Sequence, residues 1–144
     1  MKDIIKKILK EENLKQSLKQ QVKDFGIQGA AKLVGGVDEL FSIMNFESPM
    51  EFLNQFNDLN VVQSEKKPDW ILFRYNPKEN IIVYDRKTEY VYISNEEIWL
   101  LLQTHFGLTY PETRQLTKRW LSEVYNLNGV TTFWVSNPEW IRSV

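Results

Sequence analysis

The chain has 144 residues, a formal net charge of −1, 42% hydrophobic and 13% aromatic residues, no cysteine and a single histidine. That is one ordinary domain, or a small domain with a helical appendage, and enough apolar material for a packed core. Disulfides, thiol catalysis, sulfur-liganded zinc and a histidine-rich metal site are excluded, and no apolar run approaches the length of a membrane span.

Residues 2–24 carry the pattern of one long helix. Ile4, Ile8, Leu18, Val22 and Phe25 follow near-heptad spacing, with Ile5, Leu9 and Leu14 on a flanking stripe. Glu11 and Lys15 interrupt the seam, so the helix suits docking on a folded body or a partner rather than a long coiled coil. Gly26 is the expected stop. Short helices follow over Gln28–Val34 and Asp38–Met44. A third is predicted after Ser48-Pro49-Met50-Glu51, where Ser48 caps and Pro49 occupies the first turn.

Residues 63–68 are polar and end at Pro68, which makes them the expected linker between a helical segment, 1–62, and a small α+β domain, 69–144. Beyond Pro68 the aromatic content changes. All five aromatics before position 70 are Phe, whereas all five Trp and six Tyr lie at or after Trp70. Strands are predicted over Trp70–Tyr75, Ile81–Asp85 and Glu89–Ile93, separated by turn-forming Asn76–Asn80 and Asp85–Thr88. Connections this short force an antiparallel meander. A capping box at Ser94-Asn95-Glu96-Glu97 opens a helix that Gly107 closes. Thr109-Tyr110-Pro111-Glu112 opens the next, and Asn128-Gly129 turns into a last strand, Val130–Val135. The expected fold is therefore α+β: N-terminal helices, a three-stranded antiparallel meander, a helix pair and a final strand, in the order βββααβ.

Three constellations bear on function. Pro68-Asp69 followed by Asp85-Arg86-Lys87 matches the PD-(D/E)xK signature of metal-dependent nucleases, and the helix–βββ–helix–β order resembles the core of that family. The resemblance implies Mg²⁺ held by Asp69 and Asp85, with Lys87 activating water. The same residues also suit a tight hairpin turn, with Asp85 capping it and Lys87 in solvent. Second, the helix pair 95–126 resembles a helix-turn-helix, with Arg114, Lys118 and Arg119 facing phosphates and Gln115 a base. Glu112 and Glu123 bracket that basic cluster. Third, Tyr84, Tyr90 and Tyr92 alternate as cross-strand aromatic pairs do, or as a base-stacking face would.

Charge is uneven. Residues 1–37 balance to +4, residues 38–65 to −6 and the remainder to +1. The opening Ile4-Ile5-Lys6-Lys7-Ile8-Leu9-Lys10-Glu11-Glu12, with Gly26-Ile27 and Leu33-Val34-Gly35-Gly36-Val37, resembles the start of small uncharacterised bacteriophage proteins. That resemblance covers about the first quarter and implies a phage origin, with no activity attached.

The sequence thus leads to a non-enzymatic protein–protein interaction, structural or accessory protein. It is expected to need no cofactor, to be cytoplasmic (in a bacterial host, or part of a virion, if phage-encoded) and to bind no membrane. The expected contact is a protein partner or self-association through Ile4, Ile5, Ile8 and Leu9 of the first helix. A nucleic-acid-binding accessory protein using Arg114, Gln115, Lys118 and Arg119 is the alternative. The Mg²⁺-dependent nuclease is third.

Overall fold

The computed structural model describes residues 2–76, 79–94, 96–136 and 138–144, with side chains from residue 13 onward except those of 76, 96 and 97. Two compact units are present, Met1–Glu47 and Ser48–Val144.

In the first unit, α1 spans Lys2–Val34 and α2 spans Val37–Met44. Gly26 breaks α1 with φ 76° and ψ 176°, a backbone open to glycine and costly for other residues, so the expected stop at this position is a break between two helical stretches. Asn45 ends α2 in the left-handed conformation. The second unit opens with α3, Pro49–Leu53. Ser48 Oγ accepts the Glu51 amide at 3.1 Å, as its sequence predicts.

A five-stranded sheet follows in spatial order β1-β2-β3-β4-β5. Its strands are β1 (Asn60–Gln63), β2 (Trp70–Asn76), β3 (Glu79–Asp85), β4 (Tyr90–Ile93) and β5 (Thr131–Trp134). The first four run antiparallel, whereas β5 pairs with β4 in parallel. Between β4 and β5 the chain forms α4 (Glu96–Phe106) and α5 (Tyr110–Tyr125), and it closes with α6 (Glu139–Arg142).

The class is α+β, but the expected βββααβ order is corrected by two added elements, β1 and α6. Neither carries a readable pattern: β1 is Asn-Val-Val-Gln with three of its four residues exposed, and α6 is a single turn. The segment expected as a linker, 63–68, lies within the second unit: Gln63 ends β1 and pairs with Ile71, and 64–68 lead on to β2. Ser64 there accepts the Lys67 amide at 3.1 Å, and Gln63 Nε2 donates to the Pro68 carbonyl at 2.7 Å.

Strand register sorts the side chains onto two faces. Phe73 pairs with Ile82 and Ile82 with Ile93, and all three are buried on the face covered by α3, α4 and α5. Phe52, Phe56, Ile98, Leu102, Trp120 and Leu121 complete that core. Thr113 and Thr117 lie fully buried in α5, and each hydroxyl donates to the carbonyl four residues earlier, at 2.9 and 2.7 Å. On the other face Leu72 pairs with Val83, and Ile141 of α6, 0% exposed, packs on both. Asn80 Nδ2 ties α6 down by donating to the Ile141 carbonyl at 2.7 Å. Among the described residues no helix is long and apolar enough to cross a membrane.

Candidate functional site

Asp69 and Asp85 meet as the hairpin geometry predicts. Trp70 pairs with Asp85, and the Arg86 amide donates to the Asp69 carbonyl at 2.9 Å. Their chemistry is that of a turn. Asp85 Oδ1 accepts the Lys87 amide at 3.0 Å, the Asp85 carbonyl accepts the Glu89 amide at 2.8 Å, and Glu89 takes a positive φ of 60°. Arg86 Nη2 donates to the Pro68 carbonyl at 2.6 Å, and Lys87 is exposed. Among the described residues no cluster of three acids or histidines is placed to hold a metal ion.

On α5, Thr109 and Glu112 form the expected capping box. The carboxylate accepts from the Thr109 hydroxyl at 2.8 Å and from its amide at 3.2 Å, which holds Glu112 below the usual carboxylate range. Gln115 and Lys118 are exposed, and Arg119 pairs with Glu123 at 2.9 Å. Arg114 turns back onto the sheet. Its Nε donates to the Thr132 carbonyl at 2.8 Å, and its guanidinium lies 5.3 Å from the Phe133 ring centre and 5.8 Å from that of Tyr110. The strand that follows, β5, is a ladder strand of the sheet, paired in parallel with β4. The side chains of Ile4, Ile5, Ile8 and Leu9, and from the predicted capping box residue Asn95 and the side chains of Glu96 and Glu97, lie outside what the structure describes. Ser94 itself donates its hydroxyl to the Asn80 carbonyl, extending the sheet contacts.

The side chains that do converge are aromatic. On the α6 face of the sheet, Trp70 of β2 meets Trp140 of α6 edge-on at 5.5 Å. Trp140 meets Tyr92 at 5.2 Å, Tyr92 stacks on Phe133 at 5.8 Å, and Tyr90 abuts Phe133 at 5.3 Å. These separations and angles are the ones aromatic quadrupoles favour. A cation sits at each end: Lys67 Nζ is 4.1 Å from the Trp70 ring centre, and Arg114 covers Phe133. The result is a ladder of five rings across β2, β4, β5 and α6, with Tyr90 40% and Trp140 39% exposed. Burial, then the neighbouring Asp85 and Tyr90, push the Tyr92 hydroxyl above its ordinary pKa.

Sequence alternation predicts only part of this ladder. Tyr90 and Tyr92 belong to it, but Tyr84 pairs with Val91 and so points to the opposite face. Trp140 escapes detection because α6 does, although Pro138-Glu139 ahead of Trp140 is a helix-start signal. The segments bordering the ladder, 65–69, 85–89 and 139–142, carry five basic and five acidic residues. They offer no charge excess to a polyphosphate.

No protein-family model matches this chain, and neither a curated protein nor a solved structure matches it.

Proposed function

We propose that this chain is a non-enzymatic protein-interaction module whose ring ladder is a contact surface for another protein. The observation that carries the reading is a continuous run of Trp, Tyr and Phe on one sheet face, partly exposed and bordered by balanced charge. Tyr, Trp and Arg are the residues that dominate interface energetics, because they bury large areas at low entropic cost and keep a polar handle. Asp85, engaged in its turn, supports the non-catalytic reading of the Asp69–Asp85–Lys87 cluster. The N-terminal helix, through Ile4, Ile5, Ile8 and Leu9, is a second contact within the same proposal. A bacteriophage origin and a cytoplasmic or virion location accompany it on the strength of the opening residues alone.

Stacking of single-stranded bases on Tyr90 and Trp140 is the second reading, favoured by the cations at the two ends of the ladder. One experiment separates the two. Protein partners captured on the immobilised chain after nuclease treatment are identified, and their binding is compared with that of the Tyr90→Ala/Trp140→Ala variant and with oligonucleotide binding. Protein binding should fall at least tenfold in the variant while cooperative unfolding persists. Undiminished protein binding by the variant overturns the proposal. Steeply salt-dependent oligonucleotide binding, lost in the same variant, favours the second reading.

A further inference from the structure

The sheet ends in two edge strands, β1 and β5, and side chains close only the second. On β5 the Thr131 and Val135 amides donate to β4 carbonyl groups or their flank, so the backbone of Thr132 and Trp134 faces away from the sheet. Residues of α5 occupy that side. Arg114 Nε donates to the Thr132 carbonyl at 2.8 Å, and the Trp134 amide donates to the Tyr110 hydroxyl at 3.2 Å. Open strand edges invite pairing with another chain, and native folds cover or charge them.

On β1 the phase of the ladder is fixed by the Ser64 amide, which donates to the Trp70 carbonyl at 2.9 Å. Asn60 and Val62 therefore exchange hydrogen bonds with Arg74 and Leu72, while the N–H and C=O of Val61 and Gln63 point outward. Among the described residues no hydrogen bond meets those outward groups. Val61 is 52% exposed, and Asn60-Val61-Val62-Gln63 has no charge or proline to turn a second strand away.

We propose that β1 pairs with β1 of a second copy of this chain, antiparallel about a dyad normal to the sheet, with Val62 opposite Val62. In this register Val61 of each copy exchanges both backbone hydrogen bonds with Gln63 of the other, so every outward group is used. A dyad at Val61 would set Gln63 against Leu59, whose amide already donates to the Tyr125 hydroxyl at 3.2 Å. A dyad at Gln63 would need Glu65, which lies past the strand in the turn that Ser64 closes on the Lys67 amide. A one-residue slip would oppose side chains from different faces. Charge agrees with the antiparallel sense: the Asp58 end of one copy meets the 65–67 end of the other, where Lys66 and Lys67 outnumber Glu65, and all four are exposed. The contact is separate from the ring ladder, and the dyad leaves both ladders on one side of a continuous sheet. A pairing this short falls below the roughly 1,200 Å² of stable complexes, so the dimer is reversible.

Sedimentation equilibrium of the full chain should show a mass that rises with concentration from 17.1 kDa towards twice that value. Val61→Pro removes an outward N–H without touching the ladder to β2, and should weaken association at least tenfold. If that variant does not fold, Val61→Lys, at the same exposed position, should weaken it through charge. Register is read by thiol cross-linking, since the chain has no cysteine. Val62→Cys places thiols on residues whose Cα atoms lie about 4.5 Å apart across the dyad, within the roughly 4.4–6.8 Å that a disulfide spans. It should cross-link at least tenfold faster than Val61→Cys. A chain that stays monomeric up to roughly 1 mM, association unchanged in a folded Val61 variant, or equal cross-linking of the two thiol variants each overturns the inference.

Discussion

Two tyrosines in one cluster show how a single hydroxyl can carry opposite consequences. Tyr125 donates to the Phe56 carbonyl and accepts the Leu59 amide at 3.2 Å, whereas the Tyr75 hydroxyl, also buried, has no partner. Removing a satisfied hydroxyl strands its partners, and removing an unsatisfied one relieves a desolvation cost. Tyr125→Phe should therefore destabilise the protein by about 1–2 kcal/mol, while Tyr75→Phe should stabilise it by about 1 kcal/mol, read by urea unfolding. The pH response follows from the same pair. Burial raises the Tyr125 hydroxyl from 10.0 to about 12, opposed by the Leu59 hydrogen bond, and burial followed by Glu79 and Asp58 raises Tyr75 as well. Above pH 10 the unfolded chain releases a proton that folded Tyr125 retains, so stability is lost as pH climbs from 10 towards 12. Unfolding midpoints should fall across that window in the wild type and fall less steeply in Tyr125→Phe. At this scale the sequence is informative wherever a residue acts on its neighbours: Ser48, Thr109 with Glu112, and Asp85 all perform the capping or turn roles their spacing announces. It is silent where a side chain acts across the fold. The helix spacing of Arg114 points to a phosphate, yet its partners are a carbonyl and two rings.

Among elements, legibility follows pattern. The helices of 11 and 16 residues, α4 and α5, and the central strands β2, β3 and β4 are visible in the sequence because each repeats its pattern often enough to be recognised. The four-residue β1 and α6 are not: β1 is Asn-Val-Val-Gln, with no alternation and three of its four residues exposed, and α6 is a single turn. Yet α6 is energetically consequential. Ile141 fills the space over Leu72 and Val83, and its backbone carbonyl accepts from Asn80. Ile141→Ala should cost about 2–4 kcal/mol in chemical denaturation, a large effect for a one-turn helix. The same substitution at half-exposed Leu100 of α4 should cost well under half as much.

For the whole molecule, the succession of helix and strand patterns predicts the α+β class but not the partition between units. The apparent linker 63–68 is polar because it is a surface loop between paired strands, whereas the boundary between units falls at Glu47–Ser48, where a helix cap marks the start of the second. A fragment spanning 48–144 contains the entire sheet with covers on both faces. It should unfold in one cooperative calorimetric transition, and a broad, non-cooperative melt would show that it depends on residues 1–47. Mixed pairing also gives this unit long-range character, because β5 joins β4 only after a 37-residue excursion through two helices, and such closures slow folding. The ring ladder has a consequence for symmetry. It is tipped by ammonium at Trp70 and by guanidinium at Phe133. Two copies laid head-to-tail over this face about a dyad would set positive tip against positive tip, an arrangement that Coulomb repulsion penalises. A heterologous surface with a carboxylate at either extremity and an apolar middle would instead find both tips attractive. On the proposed reading, a partner surface would be acidic at its two ends and hydrophobic between them.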